Sequence, residues 1–264
     1  QRQMCIRDRW YTDARFGIWV TIGPQSQPEL GGGWYARHMF MEDVGSQQFG
    51  KNAYAYHKKI YGPQSEKGYT EVIHQWKAEK LNTDELVKYF KSLGAKYIVV
   101  HANHHDHFDN FASTYHPWNS VNMGPHKDIV GLFEKSVRKY HLPFGVSSHD
   151  DRFLGWWLPA FGADKSGPYK DIPYEGRMTK ADGKGKWWEG YDPQDLYAQR
   201  HTPSRGWEDA GTIHSQWTWG NGASQPSEEY KMKFQNRVLQ CVNAYHPAML
   251  YFDDTVLPLS LIHI

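Results

Sequence analysis

Cysteine is scarce in this sequence of 264 residues, in which only Cys5 and Cys241 occur. A framework of several disulfides, as in small secreted domains, is therefore excluded for this stretch of chain. Cys241 lies among apolar residues of a helical pattern, and burial makes a thiol inert. We therefore predict that Cys241 is a core residue and not a nucleophile.

Long apolar runs and an excess of one charge are also missing. No stretch approaches the roughly 20 apolar residues of a membrane span, and the formal net charge is +1. The sequence thus gives no reason to expect a membrane or a nucleic acid as a partner. Aromatic residues, by contrast, make up 16% of the chain and include twelve Trp, many beside Gly and polar residues. Such residues close irregular loops or form platforms for the apolar faces of sugar rings.

The two ends of the sequence are related to each other. Back-translation of Met4 to Arg9 gives a DNA stretch whose reverse complement encodes Leu-Ser-Leu-Ile-His, the residues that begin at Leu259. One DNA segment read on opposite strands explains both ends, as a sequencing adapter would. We therefore predict that residues 1–9 and 259–264 are adapter-derived, and that residues 10–258 belong to a longer natural protein, called the parent protein below.

Three segments repeat one order of elements, in which an amphipathic helix leads into a short apolar strand. The helical parts are residues 82–95, 127–141 and 227–247, the strands are "KYIVVHA", "PFGVSS" and "AMLYFDD", and a further strand, "RFGIWVTIG", precedes them. Thr83 is the expected N-cap of the first helix and Gly94 its stop. Helices that alternate with apolar strands predict one α/β domain with parallel strands.

Polar residues follow each of the last three predicted strands. The three clusters are His101, His104, His105, Asp106 and His107; His149, Asp150 and Asp151; and Asp253 and Asp254. In a parallel barrel the carboxyl ends of the strands converge on one mouth, where active sites lie. The long segment 152–226 leaves the same end of its strand, and we expect it to contribute to the site.

The histidine cluster allows more than one interpretation. Its spacing matches no defined zinc motif, and His104 and His105 can bind one ion only if the strand has ended before them, because neighbouring strand residues point to opposite faces. Neutral imidazoles also donate to and accept from hydroxyl groups. The residues alone therefore leave open a sugar pocket or a polar loop, and we predict neither a metal nor a cofactor. The alternatives are a metal-dependent hydrolase with the ligands His101, His105, His149 and Asp253, and a carbohydrate-binding protein without catalysis.

Four stretches of the sequence resemble the family 29 glycoside hydrolases, the α-L-fucosidases. They are "ARFGIWVTIGPQSQPELGGGWY", "AEKLNTDELVKYFKSLGAKYIVVHANHHDHF", "YHPWNSVNMGPHKDIVGLFEKSVRKYHLPFGVSSH" and "MLYFDD". The resemblance implies a (β/α)8 barrel, of which this chain carries about the N-terminal half, and a retaining exo-glycosidase that cleaves a terminal α-L-fucosyl or related sugar. It also implies an oligosaccharide or glycoconjugate substrate, no cofactor, and a secreted or periplasmic location.

The resemblance also assigns roles to individual residues. Asp253 matches the nucleophile that forms a covalent glycosyl-enzyme intermediate, and Asp254 is expected to support it by hydrogen bonding. Adjacent strand residues diverge, so these two cannot be the paired carboxylates of a glycosidase. The expected contacts to the sugar are the paired histidines His104 and His105, which bind hydroxyls, and the aromatic rings of Trp34 and Tyr251.

The sequence departs from the family at several positions that contact the sugar. Thr21, Ile22 and Gly23 stand in place of His-Trp-Gly, Gly33 in place of Glu, Ser147, Ser148 and His149 in place of Tyr-Tyr-Ser, and His107 in place of Gly. His107 and His149 are new polar groups, and we expect both to contact the sugar. The family's general acid is a Glu beyond the nucleophile, and no Glu follows Asp253 in this sequence. We therefore expect the chain alone to be poorly stable and nearly inactive, and the parent protein to be the enzyme.

Overall fold

The structure, a computed structural model, describes residues 9–42, 52–150, 156–197 and 227–252. The strands are β1 (Ile18–Val20), β2 (Ile98–Asn103), β3 (Phe144–Ser148) and β4 (Met249–Phe252). The helices are α1 (Tyr35–His38), α2 (Ala53–Ile60), α3 (Tyr69–Gln75), α4 (Thr83–Ser92), α5 (Ile129–Lys139), α6 (Pro193–Tyr197) and α7 (Glu228–Tyr245). Short 3₁₀ helices lie at Pro24–Ser26, Gly32–Trp34, Leu158–Phe161, Glu175–Arg177 and Lys180–Gly183.

The four strands form one parallel sheet in the order β1-β2-β3-β4. Helix α4 lies between β1 and β2 in the chain, α5 between β2 and β3, and α7 between β3 and β4. Sequential parallel strands joined by helices are the unit from which barrels of this class are built. The predicted α/β class and the four predicted strands are therefore confirmed.

The two faces of the sheet have different surroundings. On one face Ile98, Val100 and Val146 are buried in the hydrophobic core that includes residues of α4 and α5. On the other face Trp19 and Tyr251 keep 37% and 41% of their surface exposed, and their rings meet edge to face at 4.7 Å. The Trp19 indole also donates a hydrogen bond to the Ser147 hydroxyl at 3.1 Å. This second face carries the polar ends of the strands.

The ends of α4 correct one prediction and confirm another. Asn82, and not Thr83, is the N-cap, since its side chain accepts from the Glu85 backbone N–H at 3.2 Å. The hydroxyl of Thr83 instead contacts the Ser136 hydroxyl of α5 at 2.8 Å. Asn and Thr both cap helices well. The contact of Thr83 with α5 therefore decides which of the two residues is the N-cap. Gly94 has φ 97° and ends the helix as predicted.

Helix α7 buries one face in the hydrophobic core. Tyr230, Phe234 and Cys241 are almost fully buried, and burial raises the pKa of the Cys241 thiol, which confirms the prediction of an inert core cysteine. The same face buries Arg237 to 1% exposure, a position that the apolar pattern did not include. Among the described residues, no helix combines the length and the apolar character that crossing a membrane requires.

Candidate active site

The ends of β2 and β3 bring two polar segments together. Asn103, the last residue of β2, pairs with Ser148, the last residue of β3. The Asn103 side-chain oxygen accepts from the Ser148 hydroxyl at 2.8 Å and from the backbone N–H of His149 at 3.3 Å. The residues that follow both strands, His104 and His149, therefore begin side by side.

Three imidazoles converge just beyond these strand ends. The ring centroids of His104 and His105 lie 4.7 Å apart, those of His104 and His149 4.8 Å, and those of His105 and His149 5.4 Å. One ring nitrogen from each residue lies within 4.8 Å of the other two. Because β2 ends at Asn103, His104 and His105 are in a loop and can both turn to the same side. We call these three residues the imidazole cluster.

Two polar side chains hold the imidazole cluster from behind. The Nε2 atoms of His101 and His149 lie 2.9 Å apart, so one of them carries a proton and the other accepts it. The Gln25 amide nitrogen lies 3.1 Å from Nδ1 of His104. The Gln25 oxygen accepts from the Ala36 backbone N–H at 3.3 Å, which orients the amide so that its NH₂ group faces His104.

Desolvation keeps His104 and His149 uncharged. Desolvation, together with the neighbouring imidazoles, holds the pKa of His104 well below its usual range, and desolvation lowers the pKa of His149 to about 4. At neutral pH each ring therefore has one N–H donor and one nitrogen acceptor. Such groups suit the hydroxyls of a neutral sugar, which both donate and accept hydrogen bonds.

Aromatic rings surround His105. The ring of Trp34 lies 6.1 Å from it at a steep angle, and the ring of Trp156 lies 5.9 Å away. The structure thus brings Trp34 to the imidazole cluster, and its expected contact with the sugar stays a prediction. Trp156 was not singled out in the sequence. It lies just after residues 151–155, which the structure does not describe, and it places one side chain of the long segment after β3 beside the imidazole cluster.

A cavity of about 210 Å³ opens beside His104. Its lining combines the loop after β1 with the loop after β2: Thr21, Ile22, Gly23, Pro24, Gln25, Ser26, Gly32, Gly33, His104, Asp106, Phe108 and Asn110. A Cβ atom placed on Gly33 would lie 3.1 Å from the His104 ring. The glycine therefore allows the loop after β1 to approach the imidazole closely.

Asp106 provides a second titratable group on the wall of this cavity. It is 2% exposed and accepts a hydrogen bond from the Tyr69 hydroxyl at 2.5 Å. Burial raises the pKa of its carboxyl to about 7. Near neutral pH Asp106 therefore exists both as a neutral acid and as a carboxylate.

His107 lies in a different environment from the imidazole cluster. Its φ of 61° is in the left-handed region, and its Nδ1 lies 2.6 Å from the Asp150 carboxylate. Its ring packs 4.3 Å from that of His116, and Arg237 of α7 binds the same Asp150 carboxylate. Its backbone turn directs the ring towards α7. The side chain of His107 is thus bound in the interior at 1% exposure, and its expected contact with the sugar stays a prediction.

The remaining predicted residues lie on or after β4. Tyr251 pairs with Ser147 in the sheet, and Ser147 pairs with His101, so Tyr251 stands in the row of residues that leads to the imidazole cluster. Asp253 and Asp254 lie outside the described residues, directly after Phe252, the last residue of β4. The sequence did not indicate Gln25, Trp156 or Arg237, because each acts through contacts that are distant along the chain.

Comparison with known proteins identifies the chain's relatives. A family model described as Alpha-L-fucosidase matches residues 3–258. Tissue alpha-L-fucosidase of Rattus norvegicus is 32% identical over 164 residues, which cover 61% of this chain and 33% of that protein. Plasma alpha-L-fucosidase of Homo sapiens is 30% identical over 165 residues, 61% of this chain and 32% of that protein. The chain thus spans about a third of the length of the curated relatives that it matches.

Solved structures agree on the fold. The crystal structure of Thermotoga maritima alpha-fucosidase has a TM-score of 0.58 at 23% identity and covers 93% of this chain and 46% of that chain. The complex of the same enzyme with fucose has a TM-score of 0.57 at 23% identity, with the same coverage. These enzymes carry a (β/α)8 barrel, so the four-stranded sheet described above is part of such a barrel, as predicted.

Proposed function

The chain belongs to the α-L-fucosidase family, and we propose on that premise that its parent protein is a retaining exo-glycosidase that removes a terminal α-L-fucosyl or related sugar from an oligosaccharide or glycoconjugate. The observation that supports this most directly is the imidazole cluster, bordered by Trp34 and by the 210 Å³ cavity, at the carboxyl ends of β2 and β3. Active sites of barrel enzymes lie at this end of the strands.

The proposed site binds the sugar in two ways. His104, His105 and His149 exchange hydrogen bonds with its hydroxyls, and the neutral state of His104 and His149 provides both a donor and an acceptor on each ring. The rings of Trp34 and Tyr251 cover its apolar faces. A site that hydrogen-bonds particular hydroxyls rejects sugars that lack them by large factors. Specificity is therefore expected to follow the imidazole cluster.

In the proposed reaction Asp253 attacks the anomeric carbon while the glycosidic oxygen leaves with a proton from the general acid. Water then hydrolyses the glycosyl ester, which releases the free sugar and regenerates the carboxylate. Asp254 supports the nucleophile. The general acid is a Glu of the parent protein that lies outside this sequence.

The role of Asp253 is tested in the parent protein by Asp253→Asn, with Asp171→Asn as the matched control. Asp171 is an exposed aspartate far from the strand ends, with 80% of its side-chain surface exposed. We expect Asp253→Asn to lower kcat for an aryl α-L-fucoside by about a thousandfold or more, with sugar binding retained. Turnover within tenfold of wild type would refute the assignment. A fluorinated fucosyl fluoride should label Asp253, which peptide mass spectrometry would detect.

The identity of the sugar is tested by a panel of aryl glycosides. Thr21, Gly33 and His149 differ from the residues usual at these family positions, so the panel includes L-galactoside and other relatives of fucose beside the α-L-fucoside. Preference for the fucoside supports the proposal as stated. Exclusive cleavage of a different glycoside would keep Asp253 as nucleophile and reassign the sugar. Binding without cleavage of any glycoside would favour the carbohydrate-binding alternative.

We also propose that the parent protein is secreted or periplasmic, an expectation that the name of the human plasma relative supports. Recovery of the complete gene from its source DNA tests this through the presence of a signal sequence. The same sequence tests the assignment of residues 1–9 and 259–264 to an adapter, since neither stretch should occur in the natural gene.

A further inference from the structure

The imidazole cluster has the composition of a metal site. His104, His105 and His149 each offer a ring nitrogen within 4.8 Å of the other two. Zinc bound by imidazole has bonds of about 2.0–2.1 Å, which places ligand nitrogens about 3.3 Å apart. The nitrogens therefore need to approach by about 1.5 Å, a movement that rotation of histidine side chains in a loop provides. This ligand set differs from that of the metal-dependent hydrolase considered from the sequence, because His104 is a ligand here and His101 instead contacts the ring of His149.

Groups behind the ligands orient them. His101 contacts the Nε2 atom of His149 at 2.9 Å, and Gln25 contacts the Nδ1 atom of His104 at 3.1 Å. Metal-bound histidines almost always have such a partner on the second ring nitrogen, and His101 is that partner for His149. The Gln25 amide orients the His104 ring but favours the tautomer with the proton on Nε2. The rings of Trp34 and Trp156 lie beside His105. The arrangement is thus a set of supported imidazoles and not a group of loose surface histidines.

We propose that His104, His105 and His149 bind one Zn²⁺ ion, with the fourth position open to water, and that this ion and the sugar exclude each other. Three imidazoles with one open position suit zinc, whereas magnesium and calcium prefer oxygen ligands. The exclusion follows because His104 and His105 cannot bind the metal and a sugar hydroxyl with the same nitrogen atoms. This second part rests on the proposed function.

The orientation of Gln25 gives the proposal a specific consequence. In the structure the Gln25 NH₂ group faces His104 Nδ1, so this nitrogen accepts and the proton lies on Nε2. Zinc binding through Nε2 requires the opposite tautomer, with Nδ1–H donating to an oxygen. A glutamate at position 25 presents only oxygens. Gln25→Glu should therefore strengthen zinc binding, whereas a purely structural role for residue 25 would not.

The first experiment measures binding of zinc sulfate to the chelator-stripped parent protein by isothermal titration calorimetry. We expect one ion per chain, about a hundredfold loss of affinity in His149→Asn, and no loss in His126→Asn, which removes an exposed histidine remote from the cluster. Circular dichroism checks that both variants fold. Cobalt added in place of zinc gives a second readout, because tetrahedral coordination has intense visible absorption that His149→Asn should remove.

The second experiment compares Gln25→Glu with Gln27→Glu, which adds the same charge two residues away. We expect Gln25→Glu to bind zinc about tenfold more tightly, in line with the effect of groups behind metal ligands, and Gln27→Glu to match wild type. If both variants gain the same zinc affinity, the added charge alone explains the gain, and the tautomer argument is overturned. Absence of zinc binding, or binding that His149→Asn leaves unchanged, would overturn the site.

The exclusion of sugar by metal is measured separately, as inhibition of aryl fucoside hydrolysis by zinc that extra substrate relieves. Zinc that raises activity would overturn the exclusion and favour the metal-dependent hydrolase. Hydrolysis without zinc binding would reject this inference and keep the proposed function. If the parent protein binds zinc through His149 but cleaves no glycoside, the zinc site is kept and the proposed function is rejected.

Discussion

Removal of the Arg237 guanidinium should be among the most damaging single changes in the described part of the chain. Arg237 is 1% exposed. Its Nε and Nη2 atoms donate to the Asp109 carboxylate at 3.0 and 2.5 Å, and Nη1 binds the Asp150 carboxylate. Asp109 follows β2 and Asp150 follows β3, so one side chain of α7 fastens both loops that carry the imidazole cluster. We test this with Arg237→Met, which keeps much of the apolar stem.

The expected cost follows from the charges that remain. Arg237→Met leaves two buried carboxylates without their cation, and breaking a buried ion pair by removing one partner costs about 3–5 kcal/mol. A domain has about 5–15 kcal/mol of stability in total, so the variant should lose a large share of it. Lys231→Met on the exposed side of α7, which breaks only the surface pair with Glu228, should cost under about 0.5 kcal/mol.

The cost should depend on pH in a defined direction. Burial raises the pKa of Asp150 to about 6 and raises that of Asp109, while Arg237 opposes both shifts. Without Arg237 both pKa values rise further. A carboxyl with a raised folded-state pKa stabilises the fold below its unfolded pKa, and this stability is lost as pH rises through the folded pKa. The deficit of Arg237→Met relative to wild type should therefore grow between pH 6 and pH 8.

The assay is urea unfolding of the parent protein, followed by tryptophan fluorescence at pH 6 and pH 8. A further variant that combines Arg237→Met with Asp109→Asn and Asp150→Asn should recover most of the loss at pH 8, because the unpaired charges are gone. A cost below about 1 kcal/mol for Arg237→Met, or the same cost at both pH values, would refute the view that buried charge holds these loops.

Three further predictions concern single residues near the site. Burial raises the pKa of Asp106 to about 7. As the pH rises from 5 to 7, wild type should therefore lose about 2 kcal/mol of unfolding free energy relative to Asp106→Asn. Urea unfolding of both proteins across this range checks the loss, and an equal pH dependence of the two proteins would contradict it. Glu175 accepts from the Thr70 backbone N–H at 3.0 Å and from two buried hydroxyls. Glu175→Gln places an NH₂ group opposite these donors and should lower the unfolding free energy by about 1–3 kcal/mol in the same assay. An unchanged unfolding free energy would contradict this prediction. The new Cβ of Gly33→Ala would lie 3.1 Å from the His104 ring. By displacing that ring, the substitution should raise KM for the substrate about tenfold. An unchanged KM would contradict the role of the His104 position in substrate binding.

The sequence predicted the fold well because its signals were local. The helical stripes and the apolar strands repeat in one order, and strand ends marked by polar residues are visible in the letters alone. The N-cap of α4 was misassigned because Asn82 and Thr83 are adjacent and both cap helices. Only the contact of Thr83 with Ser136 of α5 decides between them, and that contact joins residues far apart in the chain.

The site was predictable to the extent that it follows strand ends. His104 and His149 were found because they come directly after β2 and β3, and parallel strands place such residues side by side. Arg237 was missed because a helical pattern assigns arginine to the solvent side, and only the two carboxylates after β2 and β3 explain its burial. The interior position of His107 was also not visible in the sequence, since it depends on the contact with Asp150 and on a positive φ.

These corrections divide the polar residues after the strands into two layers with different tasks. His107 contacts Asp150, and Arg237 pairs with Asp109 and Asp150 in the interior, whereas His104 lines the cavity and His105 lies beside the ring of Trp34. A buried, paired network holds its geometry because any departure leaves a charge unpaired. The imidazole cluster lies beyond this network, and the proposed recognition of sugar hydroxyls or of a metal ion depends on the geometry that the network holds. Arg237→Met should for this reason disturb sugar binding as well as stability.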